Sequence, residues 1–379
     1  MRNSKLYSLF VLLLAAVMVV TACGDGNSKN NSKNNNGGSN SGSNVETTVN
    51  LPAALADKGE INIKVIRKIG GDDHTAQFLA GAKQEGESLG FKVDTFSADG
   101  DTGKFHDALE QAANSDADAV VVSHGDDATT VELVQKLRDK GIEVVAFDSV
   151  DELQTVEGVT STSQNDQSLA KFALDHLVEE TGGEAKILYL WVDGFPAMVR
   201  RNQVYQEVLA ANPGIVELDR FGVANNNTSV DTQNAVSALL AKYPEGELDA
   251  IFATWDAFAI GAYRALVEAG RTEVKIYGID VSNEDLQAIQ AENSPWISTA
   301  AVDPKLIGAT AVRLAAKKLA GEETPATYSL DANLIKQADL ASASETVKMD
   351  TLSNLIPGWG TSDAFLEDWM KDLKAANKK

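Results

Sequence analysis

From Ile61 onward, short apolar runs alternate with longer amphipathic segments, and this alternation constrains the fold more than any other feature. Residues 117–123 form an almost wholly apolar run, which is typical of a strand that helices cover on both faces. After this run, Val131, Val134 and Leu137 recur at helical spacing. Strands that alternate with helices predict parallel sheets with right-handed crossovers. The sequence therefore predicts an α/β fold.

The alternation occurs twice, with a break near residues 151–162. The chain has 379 residues, which is enough for about two domains with well-buried cores. We therefore expect two lobes, each a doubly wound parallel sheet. In such sheets, ligands bind outside the carboxyl ends of the strands. Residues 249–256 show this arrangement, because an apolar strand there ends in Trp255 and Asp256 just before a helix.

The first residues have the features of a targeting segment. Arg2 and Lys5 precede an apolar run over residues 9–20, which is too short to span a bilayer comfortably. The small residues before Cys23 resemble the lipobox of bacterial lipoproteins, which implies cleavage after residue 22 and attachment of lipid, including palmitate, to Cys23. Because Cys23 is the single cysteine, disulfides within the chain and cysteine zinc sites are excluded.

Residues 23–59 are expected to be the lipidated cysteine and a flexible linker, since residues 24–44 are almost entirely Gly, Asn, Ser, Asp and Lys. This arrangement predicts a protein that is lipid-anchored at the extracytoplasmic face of a bacterial cell membrane. The formal net charge is -22, which argues against binding to nucleic acid.

Four stretches of the sequence, taken together in order and spacing, resemble the type I periplasmic sugar-binding proteins of the ribose-binding kind. These are residues 119–148, 199–205, 250–266 and 274–280, and the similarity covers roughly residues 62–333. The resemblance implies two lobes joined by three hinge strands, a sugar held in the cleft between them, and delivery to an ABC permease.

The resemblance also implies the domain boundaries. We expect an N-terminal lobe over residues 60–153 and 303–332, and a C-terminal lobe over 154–302 and 333–345. Residues 346–379 are then a C-terminal extension that contains two tryptophans.

The same resemblance assigns ligand contacts at the strand ends. Asp148 and Asp280 match ligand carboxylates of the family, and Ser149 stands where ribose binders have an arginine. Arg201 matches a ligand arginine, whose forked guanidinium suits vicinal hydroxyls. Arg200 is the alternative if the register differs by one residue.

Aromatic rings can cover the C–H faces of a sugar. Trp255 occupies a position where ribose binders have an asparagine, and it either stacks on the ligand or packs between the lobes. Asp256 either binds ligand or caps the following helix. Trp191 is a supplementary stacking residue, and Asn227 aligns where the family has an aromatic.

The first lobe departs most from the family pattern. Lys68 lies near the first polar contact of the family, and Asp72, Asp73 and His74 replace an asparagine and two aromatics. Asp-Asp-His also suggests a metal, but without a matching distal ligand motif we favour a polar pocket or a helix cap. We therefore expect no metal and no cofactor, and we do not identify the ligand as ribose.

The sequence predicts the substrate-binding lipoprotein of an ABC importer, a monomer that captures a sugar, polyol or similar small molecule by hinge closure. A ligand-presenting sensor module for a membrane signalling receptor is the alternative. An extracellular glycoside-processing enzyme is less favoured, because no Gly-x-Ser-x-Gly elbow, P-loop or His-Glu-x-x-His motif is present.

Overall fold

A computed structural model describes residues 50–225 and 227–378. The predicted signal peptide, Cys23 and most of the predicted linker lie outside the described residues. In the described part, the strands are β1 (Asn62–Arg67), β2 (Lys92–Ser97), β3 (Ala119–Ser123), β4 (Glu143–Phe147), β5 (Val159–Gln164), β6 (Ala185–Leu190), β7 (Ile215–Phe221), β8 (Ala250–Ala253), β9 (Lys275–Ile279), β10 (Trp296–Ala301), β11 (Thr327–Leu330) and β12 (Asn333–Lys336).

Helices connect most of these strands. They are α1 (Ala53–Ala56), α2 (Asp73–Ser88), α3 (Thr102–Ala113), α4 (Ala128–Asp139), α5 (Asp166–Thr181), α6 (Pro196–Ala211), α7 (Thr228–Lys242), α8 (Asp256–Ala269), α9 (Asn283–Gln290), α10 (Pro304–Leu319), α11 (Gln337–Leu340) and α12 (Asp368–Ala376). Short 3-10 helices cover Asp151–Thr155 and Met349–Asn354. Side-chain caps begin several helices, since Asp72, Asp101 and Asp127 each accept a hydrogen bond from a backbone N–H in the first turn.

The strands form two six-stranded sheets, and each sheet belongs to one lobe. The first sheet has the order β11-β5-β4-β3-β1-β2 and is parallel throughout. The second has the order β12-β10-β9-β8-β6-β7, and only its edge strand β12 is antiparallel. Every residue of β3 and of β8 is buried, as helices on both faces of a sheet require. The predicted fold of two doubly wound lobes is confirmed.

The chain passes between the lobes at three places, where β5 leads into α5, β10 into α10, and β11 into β12. We expected the second lobe to begin at residue 154, but β5 pairs with β4 in the first sheet, so the crossing follows Gln164. The sequence of β5, Val-Thr-Ser-Thr-Ser-Gln, lacks the apolar run that marks the other central strands. Strand pairing, which is not visible in composition, places this segment in the first lobe.

Helices α2 and α10 pack closely against each other on the first sheet. A Cβ at Gly308 would lie 2.1 Å from the backbone oxygen of Phe78, and a Cβ at Gly81 would lie 2.1 Å from that of Lys305. Glycine at both positions lets the two backbones approach each other, because any side chain would separate the helices. This contact fixes the start of α2, which borders the cleft between the lobes.

The segment after β12 packs on both lobes in turn. Leu352 and Trp359 are buried in the core of the second lobe. Farther on, the Trp369 indole donates to Glu322, and the Lys374 ammonium lies 2.6 Å from Glu85 of α2. The extension therefore runs from the second lobe back to the first. Within the described residues, no helix is both long and apolar enough to cross a bilayer.

Candidate functional site

The polar residues of the cleft follow directly on strands of both sheets. His124, Asp148 and Asp280 come immediately after β3, β4 and β9, and all three adopt left-handed backbone conformations, with φ of 62°, 42° and 69°. This conformation costs a non-glycine residue about 1–2 kcal/mol and persists where the surroundings impose it. Hydrogen bonds impose it here, since the Asp148 N–H donates to Thr162 and the Asp280 N–H donates to Ala300. Each side chain is thereby turned toward the space between the sheets.

Two adjacent arginines of α6 share one buried carboxylate in the second lobe. The Arg201 Nε lies 2.9 Å from Asp166 Oδ1, and the Arg200 Nε lies 2.8 Å from Asp166 Oδ2. Arg201 Nη1 also donates to the backbone oxygen of Thr254 at 2.6 Å and to Asp280 Oδ2 at 3.2 Å. Arg201 is thus buried and bonded to Asp166, Thr254 and Asp280 through Nε and Nη1, whereas Arg200 remains partly exposed.

Arg67 is the matching buried cation of the first lobe. Its guanidinium donates to the hydroxyls of Thr75 and Ser123, and it lies 5.0 Å from the centre of the Phe78 ring. Burial lowers the pKa of Arg67 to about 10. The carboxylates that oppose this shift come from both lobes and include Asp148 and Asp280, so the guanidinium faces the space between the sheets.

Two histidines line the first-lobe side of the same space. The His74 ring lies with Nδ1 3.4 Å from Arg67, and its Nε2 is buried without a hydrogen-bond partner among the described residues. Burial lowers the pKa of His74, and the Arg67 guanidinium reinforces the shift. Burial and Arg67 also hold the pKa of His124 well below its usual range. Both rings are therefore neutral at pH 7. His74 Nδ1 accepts from Arg67, so its Nε2 carries the proton and is a donor, while His124 Nδ1 lies 2.8 Å from the Ser123 hydroxyl and leaves only Nε2 for a ligand.

Asp148 is a buried first-lobe carboxyl that lies near an arginine of the second lobe. Its Oδ1 has no hydrogen-bond partner in the described part of the chain and lies 3.8 Å from Arg200 Nη2. Burial, together with the nearby carboxylate of Asp166, raises the pKa of Asp148 from its ordinary value of 3.8 to about 8. A neutral Asp148 can both donate and accept a hydrogen bond, which a sugar hydroxyl can complement.

Asp256 and Asp285 form a second acidic group, on the second-lobe side. Asp256 Oδ1 accepts from the N–H of Ala257, and Asp285 Oδ2 is buried without a partner among the described residues. Burial and the Asp285 carboxylate raise the pKa of Asp256 well above its usual range. Burial also raises the pKa of Asp285 to about 7. At least one of these carboxyls is therefore protonated at neutral pH.

Both aromatic candidates are half-buried and already have aromatic neighbours. Trp255 is half-buried at the start of α8 and meets Phe258 edge-on, with ring centres 5.7 Å apart. Trp191 is also half-buried, and its indole N–H donates to the backbone oxygen of Met198 at 2.9 Å. It stacks on Tyr189, so one of its faces already has an aromatic neighbour.

Several other candidates have partners of their own. The Lys68 ammonium pairs with Asp126. The Ser149 hydroxyl accepts from the Gly125 N–H and donates to the backbone oxygen of Phe147.

The remaining three candidates lie at helix starts. Asp72 caps α2 through the Thr75 N–H, and Asp73 bonds to Asn283 of the second lobe. Asn227 is exposed at the start of α7. Its assignment as a ligand contact stays a prediction, because the alignment with the family is loose in this loop.

The structure adds residues that the sequence did not indicate as ligand contacts. Arg67 is the last residue of β1, so a charged residue at the end of a buried strand was the available signal. Asp166 and Asp285 lie in the first turns of α5 and α9, where acidic residues are ordinary caps. Nothing in the sequence distinguishes these two carboxylates from such caps.

The arrangement suits a neutral ligand rich in hydroxyls. The unpartnered buried atoms of Asp148, Asp280 and His74 come from both lobes, and burying such atoms without a partner is costly. Hydroxyl groups can satisfy both carboxyl oxygens and imidazole nitrogens. Among the described residues, no three acidic, histidine or cysteine side chains are grouped so that they could hold a metal ion.

Comparison with known families gives one match that covers most of the chain. Residues 63–323 match the family model described as the periplasmic binding protein domain. The ribose import binding protein of Escherichia coli is 26% identical over 262 residues, which cover 67% of this chain and 83% of that protein. The xylitol-binding protein of Mycolicibacterium smegmatis is 25% identical over 196 residues, with 52% and 55% covered.

Two solved structures are similar over nearly all the described residues. A sugar ABC transporter structure from Yersinia enterocolitica is 49% identical, with a TM-score of 0.81, and the match covers 86% of this chain and 98% of that one. A 5-methylthioribose transporter solute-binding protein from Thermotoga lettingae, in complex with 5-methylthioribose, is 30% identical with a TM-score of 0.79. That match covers 86% of this chain and 99% of the Thermotoga chain.

Proposed function

This chain belongs to the periplasmic binding protein domain family, and on that basis we propose that it is the solute-binding protein of an ABC importer. It captures a sugar or a sugar-like molecule in the cleft between its two lobes. The observation that carries the proposal is the pair of buried, unpartnered carboxyl oxygens on Asp148 and Asp280, which belong to opposite lobes and face the same space. A molecule with several hydroxyls satisfies both.

Three related proteins support the same ligand class. By their names, they bind ribose, xylitol or 5-methylthioribose, each of which is a sugar or a molecule derived from one. Family membership also supports a binding protein rather than an enzyme. Because the related proteins act in import and in sugar ABC transport, they also support a permease as the partner.

Capture proceeds by closure of the lobes. The ligand accepts hydrogen bonds from Arg67 and the neutral Asp148 of the first lobe, and it donates to Asp280 of the second, which Arg201 holds in place. Because only the closed state offers all of these contacts at once, the ligand shifts the population toward closure. The permease then recognises the closed form.

The protein acts at the extracytoplasmic face of the cell membrane, as a monomer anchored through lipidated Cys23. The apolar run, the small residues before Cys23 and the polar linker support this location. Labelling of cells with a palmitate analogue checks it. We expect label on the wild-type protein and none on Cys23→Ser, and label on both proteins would contradict the anchor.

A thermal-shift screen tests the binding function. The panel contains D-ribose, xylitol, 5-methylthioribose, hexoses and nucleosides, and we expect at least one sugar to raise the melting temperature of the wild-type protein. Asp148→Ala and Asp280→Ala should lose that shift while they remain folded. Glu157→Ala and Glu207→Ala, which change exposed acids of the first and second lobes, should keep it. A panel without any shift would contradict the proposal.

A further inference from the structure

Asp73 connects the two lobes directly. It is the first residue of α2 in the first lobe, and its Oδ2 accepts two hydrogen bonds from Asn283, the first residue of α9 in the second lobe. The Asn283 backbone N–H lies 2.9 Å from Oδ2, and the Asn283 side-chain amide lies 3.0 Å from the same atom. Two donors from one residue of the opposite lobe thus converge on a single carboxylate oxygen.

The Asp73 carboxylate has little capacity left for a ligand. Its other oxygen, Oδ1, accepts from the Gln77 side chain one turn along α2, at 3.3 Å. His74, the next residue, differs in that its Nε2 is buried and without a partner in the described part of the chain. Adjacent residues of α2 therefore serve two separate purposes, with His74 facing the cleft and Asp73 facing the second lobe.

The C-terminal extension fixes the orientation of Asn283. The Met349 backbone N–H donates to Asn283 Oδ1 at 3.1 Å, which leaves the amide nitrogen to point at Asp73. Val347 exchanges hydrogen bonds of 2.8 and 3.1 Å with the Gln290 side chain at the other end of α9. The extension thus holds α9 at both ends and presents the Asn283 amide in one orientation.

The extension is itself fastened to the first lobe. The Lys305 ammonium lies 2.5 Å from Asp350, and the Arg313 guanidinium donates to the backbone oxygen of Ser362 at 2.6 Å. Lys305 and Arg313 both belong to α10, which begins just after one of the three crossings between the lobes. Residues 347–362 therefore reach from the Asn283 amide to α10 of the first lobe.

We propose that Asp73 is a positioning residue that favours lobe closure by binding Asn283, with the Asn283 amide oriented by the C-terminal extension. The inference rests on the proposed function in that closure is the step that captures ligand. It assigns Asp73 a contact with protein in place of the contact with ligand expected from the sequence. We call the two hydrogen bonds between Asp73 and Asn283 the latch. Because the latch joins protein to protein, it stabilises the closed state without any sugar.

Hydrogen bonds to a charged acceptor stabilise more than neutral ones, and both contacts exist only when the lobes are together. We expect Asp73→Ala to lower the ratio of closed to open molecules about tenfold, which corresponds to about 1.4 kcal/mol. Asn283→Ala removes the side-chain donor but keeps the backbone donor, so its effect should be smaller. Asn283→Asp should have the largest effect, because two carboxylates then face each other.

Distances between spin labels test the latch in ligand-free protein. The labels are attached at Glu132→Cys on α4 and Ser237→Cys on α7, two exposed positions on different lobes, in the full chain carrying Cys23→Ser. We expect a short-distance population that shrinks in Asp73→Ala and shrinks further in Asn283→Asp. Gln77→Ala is the matched control, since it removes the other Asp73 contact and should leave the distances unchanged.

A double-mutant cycle separates the latch from a general loss of structure. Asp73→Ala and Asn283→Ala should be less than additive in their effect on the short-distance population, while circular dichroism stays unchanged. Identical distance distributions in the wild type and all variants would overturn the latch, as would fully additive effects. The labels report closure without sugar, so their result can be interpreted even if no sugar gives a thermal shift. Conversely, unchanged label distances would contradict the latch without contradicting sugar binding.

Discussion

Asp148→Asn should make the ligand-free protein progressively more stable than the wild type as the pH rises. Burial raises the pKa of Asp148 from 3.8 to about 8, so the folded protein holds a proton that the unfolded chain releases near pH 4. This contribution to stability is fully present below pH 3.8 and is lost as the pH rises through about 8. Asparagine has the same shape and is never charged, so the variant does not lose it.

The size of the stability difference follows from the single proton that the Asp148 carboxyl holds in the folded protein. Each pH unit within this window changes the free energy of unfolding by at most about 1.4 kcal/mol. Between pH 5 and pH 7, the variant should therefore gain up to roughly 3 kcal/mol on the wild type. Asp256 and Asp285 titrate in both proteins, so the difference between the two profiles isolates Asp148.

Urea unfolding followed by tryptophan fluorescence at pH 4, 5, 6 and 7 measures this difference. Near pH 4, the two proteins should have nearly equal stability, since residue 148 is then neutral in both folded proteins. Parallel profiles over the whole range would refute the argument, because they would mean that Asp148 is charged in the folded protein. A variant that becomes less stable than the wild type with rising pH would refute it too.

Two further substitutions test the supports of the cleft. Arg201→Met leaves the buried Asp166 without its inner partner and should lower the free energy of unfolding, measured in urea, by about 3–5 kcal/mol. Arg200→Met, at the partly exposed neighbour, should lower it less. Equal losses would contradict the assignment of Arg201 as the buried support. Gly308→Ala should cost about 1–3 kcal/mol, because the new methyl would meet the α2 backbone, whereas Gly59→Ala, with open space around it, should be neutral. Full stability of Gly308→Ala would contradict the close packing of α2 on α10.

The fold was predictable from the sequence because its signal is local. The order of residues alone shows the apolar runs of β3 and β8 and the helical spacing of apolar residues between strands. The placement of β5 was not, since its alternating threonines and serines carry no burial signal and its lobe depends on pairing with β4. Pairing between distant segments is a tertiary property, so the boundary at residue 154 was wrong.

The candidate site was predictable where a residue follows a strand. Asp148 and Asp280 were indicated by their positions at strand ends, and their assignment to the ligand stays a prediction. Arg67 was missed because it belongs to the strand itself. Asp166 was missed because its importance comes from two arginines on another helix. Asp73 was predicted as a ligand contact, yet its partner lies 210 residues away, a distance at which sequence spacing carries no information.

A crystal structure of the protein with the sugar that gives the largest thermal shift would show whether the ligand bridges the two lobes. Capture by lobe closure predicts closed lobes, with ligand hydroxyls within hydrogen-bond distance of Asp148 Oδ1 and Asp280 Oδ1 and the ligand beside Arg67. A sugar bound to one lobe alone, or bound outside the cleft, would contradict it.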